Sequence, residues 1–315
     1  MDGMTAGKLL FADGGDRLFA AKRHLMVLYA VNLLFAWFAS FGLSAQIGAV
    51  TGTSLYSERL VHGFDLGAFI DLINKPEVTP YSQVPIAVAF AGLFLVVQLF
   101  LTGGILTQYL SCPQRIEQSR FYAECGENFW KLVRIALVFI VIAGLVGGVL
   151  HAVRSALDTA TETSPNRRAA LAVDCGMLLI EALALLWVRM WFDLAQTELI
   201  ASGARRIRSS LAAGLKLSRA AAGLYVGYAL SAILALLVVA LGTYLWWASA
   251  PLSLVIVSFL ILQSTLACLL VLRWWQRALA AAWYTRIIPP RVADAPVLLE
   301  PLPPESAVPE VPLSQ

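Results

Sequence analysis

The residues of this chain best suited to chemistry are ionisable groups set in apolar surroundings. Asp174, Glu181, Arg189 and Asp193 fall within, or at the edge of, the single apolar stretch 169–191. A charge deep in a bilayer is costly, so such residues usually mark a proton or ion path or a buried pair. Glu181 is about twelve residues into its stretch, close to the midplane. Asp174 and Glu181 are seven residues apart and share one helix face. Gln263 reaches the same depth in the last apolar stretch and is placed to hydrogen-bond to Glu181. His151 and Arg154 close the third stretch, within reach of Asp174. Arg189 and Asp193 are four apart and are expected to pair along one helix. Two chemistries fit this set. One is a proton or cation site on Glu181, with Asp174 nearer the outside. The other is polar glue, with a protonated Glu181 hydrogen-bonded to a neighbouring helix. Transporters usually spread buried charge over several broken helices. Here one stretch carries nearly all of it and no span has a proline at its middle, which favours glue.

Other chemistries lack their residues. His24, His62 and His151 are far apart, and no H-E-x-x-H or paired C-x-x-C occurs. Cys112 and Cys125 are expected on the reducing side, and Cys175 and Cys268 are expected as small apolar fillers. There is no phosphate-binding G-x-x-x-x-G-K-[ST] and no G-x-S-x-G elbow. His62 and Asp65 on an outer loop could form a catalytic pair in principle; a solvated pair is the simpler reading. No metal, no cofactor and no enzymatic activity are expected.

The elements that position these residues follow from composition. The chain has 315 residues, 59% of them apolar and 14% charged, with a mean hydropathy of +0.74. A water-soluble protein of that size could not cover its surface with so few charges. A net charge of +3 offers no bulk attraction for nucleic acid. Four cysteines are too sparse for a disulfide scaffold. A membrane-crossing helix needs about 20 apolar residues. Six stretches qualify: 25–47, 84–105, 132–152, 169–191, 222–246 and 252–272. None shows the alternation of a barrel strand. The first is too long, and lacks a cleavage site, for a secretory signal. Seventeen Lys and Arg fall on one side of these stretches and five on the other, which places both termini in the cytoplasm. The pairs Trp246–Trp247 and Trp274–Trp275 suit the two interfaces.

The chain divides into an amphipathic N-terminal segment (1–24), a six-helix membrane domain (25–287) and a tail (288–315). Eight of the fourteen prolines lie in that tail, so it is expected to be disordered. The outer loop 49–83 is expected to hold short helices. Each hairpin is preceded by a basic amphipathic stretch with an apolar residue three after a glycine: Gly15 and Leu18, Gly126 and Phe129, Gly214 and Leu217. An internal triplication explains this pattern, and so does shared composition at membrane entries. Gly144-xxx-Gly148, Gly223-xxx-Gly227 and Gly103-Gly104 are read as close-packing points between helices.

LTGGILTQYL, FYAECGENFWKLVRIALV, WFDLAQTELIASGARRIRSSLAAGLKLSR and the outer SERLVHGFDL resemble a family of uncharacterised bacterial six-span inner-membrane proteins. The layout is also similar to the membrane domains beside some glycerophosphodiester phosphodiesterases. The likeness covers most of residues 10–285. It implies a helical bundle in the inner membrane and carries over no catalytic residues.

The expectation is therefore an all-α polytopic transmembrane bundle of six helices in three hairpins, with short interfacial helices. The leading functional expectation is a non-enzymatic scaffold or accessory subunit of a membrane complex. Its partners would be membrane lipids and other membrane proteins. The alternative is a small-solute or lipid transporter using the acidic residues of the fourth span.

Overall fold

The computed structural model describes residues 3–52, 66–76, 78, 80–112, 116–162, 167–203, 206–249 and 255–288. The tail from 289, residues 53–65 of the outer loop with His62 and Asp65, and Arg205 lie outside these residues. The described residues form helices and no strands. In chain order the helices are α1 (Gly3–Ala20), α2 (Lys22–Thr51), α3 (Leu66–Ile73), α4 (Pro80–Leu110), α5 (Gln118–Glu162), α6 (Arg167–Ser202), α7 (Ile207–Ala220), α8 (Ala222–Ser249) and α9 (Val255–Ile287). Six of them, α2, α4, α5, α6, α8 and α9, are long and apolar enough to cross a membrane. Each contains one expected stretch, save that 252–254 at the start of the sixth is outside the described residues. Most overrun it. Helix α5 has 45 residues. At about 1.5 Å per residue it is roughly twice the thickness of a hydrocarbon core of about 30 Å, so it must project well beyond the bilayer.

Three hairpins organise the bundle: α2 with α4, α5 with α6, and α8 with α9. Helix α9 is the hub, touching α1, α2, α4, α6 and α8. The amphipathic segments dock in one recurring way. Each packs on the second helix of another hairpin, near that helix's C-terminal end: α1 on α9, the start of α5 on α4, and α7 on α6. Because α1 reaches the last hairpin, the arrangement closes into a ring of three.

The inward stripes of these segments share a helical register. They run Leu10, Gly14, Arg17 and Ala21; Phe121, Cys125, Asn128 and Leu132; and Ser210, Gly214, Ser218 and Ala221. The sequence pattern used Gly15 and Gly126, and both prove to be off the buried stripe by one position. A Cβ on either would meet nothing within 4 Å. The residues that dock are Gly14 and Cys125. A spacing of three or four residues fixes the face only when the starting residue is right.

The core lies at the end of the bundle where α1 packs on the C-terminal part of α9. The three core clusters draw on 10–28, 101–125, 132–135, 188–199, 221–228 and 274–282. Beyond it the hairpins become bare arms. No residue is buried over 29–50, 84–100, 136–159, 168–187 or 256–273. In those stretches each helix touches little more than its hairpin mate.

Glycines mark close helix approaches, and only some of them are the expected ones; the tightest is Gly242, where a Cβ would run into Thr265 Oγ1 of α9. A Cβ at Gly214 would sit 2.8 Å from the backbone nitrogen of Ala195. One at Gly104 would sit 2.6 Å from Cys125 Sγ and Phe121. Gly103-Gly104 therefore does pack α4 against α5. Gly144, Gly148 and Gly223 face open space, and Gly227 has only ordinary contacts. Among the described residues the Gly144-xxx-Gly148 motif joins no other helix, and of the Gly223-xxx-Gly227 motif only the buried Gly227 does, in ordinary contact with Phe11 of α1 and Leu279 of α9. Their spacing permits close approach, but the partner helix must be present for it to occur.

Candidate functional site

The expected cluster on α6 forms only in part. Arg154 of α5 donates from Nε to Asp174 Oδ1 at 2.6 Å, joining the two helices of the second arm. Asp158 lies 4.0 Å from the same nitrogen. Glu181 is half-buried and close enough to act on Arg154 through its charge, yet forms no ion pair with it. His151 is exposed and does not join this pair. Gln263 does not reach Glu181. Its Oε1 accepts from Tyr29 Oη at 2.8 Å and ties α9 to α2. Equal depth placed Gln263 level with Glu181, but α9 turns that face toward the first hairpin. Depth alone does not specify a helix face.

The dominant polar site lies deeper in the fold, at the terminal end, and is centred on Asp193. Its carboxylate is 3% exposed and lies where α6, α8 and α9 meet. Arg273 of α9 grips it with two donors, Nη1 to Oδ2 at 2.8 Å and Nη2 to Oδ1 at 3.0 Å. Such a bidentate fork is the strongest geometry open to this pair. Tyr228 of α8 donates its hydroxyl to Oδ2 at 2.8 Å. Arg277, one turn beyond Arg273, brings Nε to 3.5 Å from Oδ1. Its Nη1 donates to Thr102 Oγ1 of α4 at 3.1 Å, and its guanidinium lies 4.6 Å from the Trp274 ring. Gln276 extends the network by donating to Ser231 Oγ at 2.7 Å. One carboxylate thus links four helices from all three hairpins.

Arg189 does not fill the role its spacing suggested. It lies near enough to Asp193 to add its charge but forms no ion pair with it, and its Nε is buried without a hydrogen bond. The i,i+4 spacing gives proximity along one helix. A facing arginine with a better fork takes the carboxylate instead.

A second polar tier fastens α1. Arg17, 7% exposed, donates to Asp13 Oδ1 at 3.0 Å and to Thr285 Oγ1 of α9 at 3.0 Å. It also donates to the Tyr109 carbonyl of α4. Nearby, Tyr284 Oη donates to Glu198 Oε2 at 2.6 Å, locking α9 to α6.

Sequence reasoning missed the role of Arg273, Arg277 and Arg17, because it counted all three toward the basic flank. A signal was available. Arg273 and Arg277 are four apart and sit within an otherwise apolar helical face, beside Trp274 and Ala278. Arginines on such a face need a carboxylate, and Asp193 is the one at that depth.

Chemically, the Asp193 cluster is built to hold rather than to react. The carboxylate's two oxygens are taken up by arginine and tyrosine donors, and apolar side chains enclose it. Among the described residues, no group of three or more His, Cys, Asp and Glu is arranged to hold a metal ion. Comparison with protein-family models, curated proteins and solved structures gives no match for this chain.

Proposed function

We propose that the chain is a non-enzymatic scaffold or accessory subunit of a membrane complex. One observation carries this reading: the bundle is locked at its terminal end, while three two-helix arms extend beyond it with few buried residues, Gly242 and Ser249 of the third arm among them. In lipid, helices associate through close packing of small residues and through polar contacts. The second arm presents Gly144 and Gly148 with nothing against them. A rigid ionic hub and open arms suit a protein that organises other spans around itself. The lysine and arginine asymmetry supports placing the terminal end in the cytoplasm of a bacterium with the arms in the inner membrane.

Photo-crosslinking residues at Phe38, Leu145 and Leu237, one on each arm, test this. A membrane protein of one defined mass should be captured in stoichiometric yield from at least one arm. The buried Leu132 should capture none. Capture of lipid alone from every arm would overturn the reading.

A second reading rests on the Arg154–Asp174 pair with Glu181 beside it. These groups lie within one arm, half-exposed, where a transported proton or cation could reach them. Proton-coupled flux by the purified, reconstituted chain, abolished by Glu181→Gln, would replace the scaffold with a transporter.

A further inference from the structure

Two cavities meet at the elbow between α1 and α2, and they are of opposite character. The first is a groove of about 290 Å³ between α2 and α9. Its walls are apolar, formed by Leu18, Leu25, Met26, Leu270 and Val271, and Tyr29 lies at its deep end. The second, of about 160 Å³, opens toward α4 and α5 and is lined by Arg23, His24, Gln108 and Gln118. Phe19 and Lys22 line both. The two therefore adjoin at the point where the chain enters the apolar layer. Lys22 and Arg23 open α2, whose N-terminus has no side-chain cap. His24 stacks on Phe121 at 3.7 Å, and its Nδ1 is buried without a hydrogen bond.

We propose that this elbow is a binding site for one anionic glycerophospholipid. An acyl chain fills the groove, and the phosphate sits in the adjoining cavity against Lys22 and Arg23. The charge complementarity argues for this occupant. Lys22 lines both the apolar slot and the polar cavity, and Arg23 lines the polar one, so two cations stand beside the slot's end. From Lys22 to Tyr29 the groove descends roughly 10 Å at about 1.5 Å per residue, a depth that suits the upper part of an acyl chain. Tyr29 is held at the floor by its bond to Gln263. Because α1, α2 and α9 meet here, an occupied site would brace the junction that closes the ring of three.

The full-length chain, delipidated in detergent, would be titrated with phosphatidylglycerol and with phosphatidylcholine of matched chains. Native mass spectrometry would count bound lipid. One phosphatidylglycerol should bind ahead of any phosphatidylcholine. The double variant Lys22→Gln/Arg23→Gln should weaken phosphatidylglycerol by about 30-fold and phosphatidylcholine, whose phosphate is offset by its own choline, much less, given the usual pull of two basic residues on an anionic headgroup. Val271→Trp, which fills the groove, should weaken both lipids. Equal binding of the two lipids by the native chain would overturn the site. So would phosphatidylglycerol binding that neither variant alters while both retain the native melting temperature. Competition by inorganic phosphate alone, with no dependence on acyl chains, would also overturn it.

Discussion

Replacing Asp193 with alanine should loosen the whole bundle, and the size of the effect follows from its surroundings. The substitution strips both acceptors from the Arg273 fork, removes the partner of Tyr228, and leaves Arg277 with only Thr102 and the Trp274 ring. Breaking a buried ion pair by removing one partner costs about 3–5 kcal/mol, because the surviving charge stays buried. Larger domains lose about 2–4 °C per kcal/mol, so the melting temperature in detergent should fall on the order of 10 °C. Tryptophan fluorescence during a thermal ramp reads this directly, since Trp274 borders the site. Tyr228→Phe removes one hydrogen bond and leaves the charges unchanged. Its loss should be about 0.6 kcal/mol, the mean for interhelical bonds in membranes, and at most about 1.7 kcal/mol. Asp193→Asn keeps the shape and one acceptor and should fall between the two. The double variant Asp193→Ala/Arg273→Met should recover part of the loss, because one of the unpaired charges is gone. If Asp193→Ala and Tyr228→Phe melt within about 2 °C of each other, the ionic hub does not hold the fold and the reasoning is wrong.

Two other outcomes follow from the packing and the surface chemistry. Gly214→Leu should destabilise by about 1–3 kcal/mol, because its side chain would drive into the Ala195 backbone; Gly144→Ala should be neutral or slightly stabilising, because its face is open and alanine favours helix. Thermal melts of the two variants separate them, and the reverse order would refute the assignment of close approaches. Burial raises the Cys112 thiol above its usual range, so a water-soluble maleimide should label it slowly at neutral pH and faster as the pH rises. That label should enter only from the cytoplasmic side of sealed vesicles; labelling from the outside would reverse the proposed orientation.

The spans were legible in the sequence because crossing a membrane is a local property. Length and hydropathy decide it, and neither depends on a neighbour. The hairpin order was legible for a related reason: successive spans run in opposite directions and return beside each other. The pair Arg154 and Asp174 was also found, since both sit at one end of adjacent spans where few alternatives compete.

What the tertiary structure decided was orientation about each helix axis. Gln263 and Glu181 share a depth, but the turn of α9 gives Gln263 to Tyr29. Arg189 is the sequence neighbour of Asp193, but Arg273, eighty residues on, brings the better fork to it. Arg17, Arg273 and Arg277 read as part of a basic flank until the fold buries them against one another's helices. Gly144 and Gly148 have the spacing of a packing motif and no helix opposite, whereas Gly214 has no motif and touches backbone. In each case the direction in which a helix face points, and what stands opposite it, chooses the partner. That direction is set by the summed packing of all the helices, and no single segment encodes it.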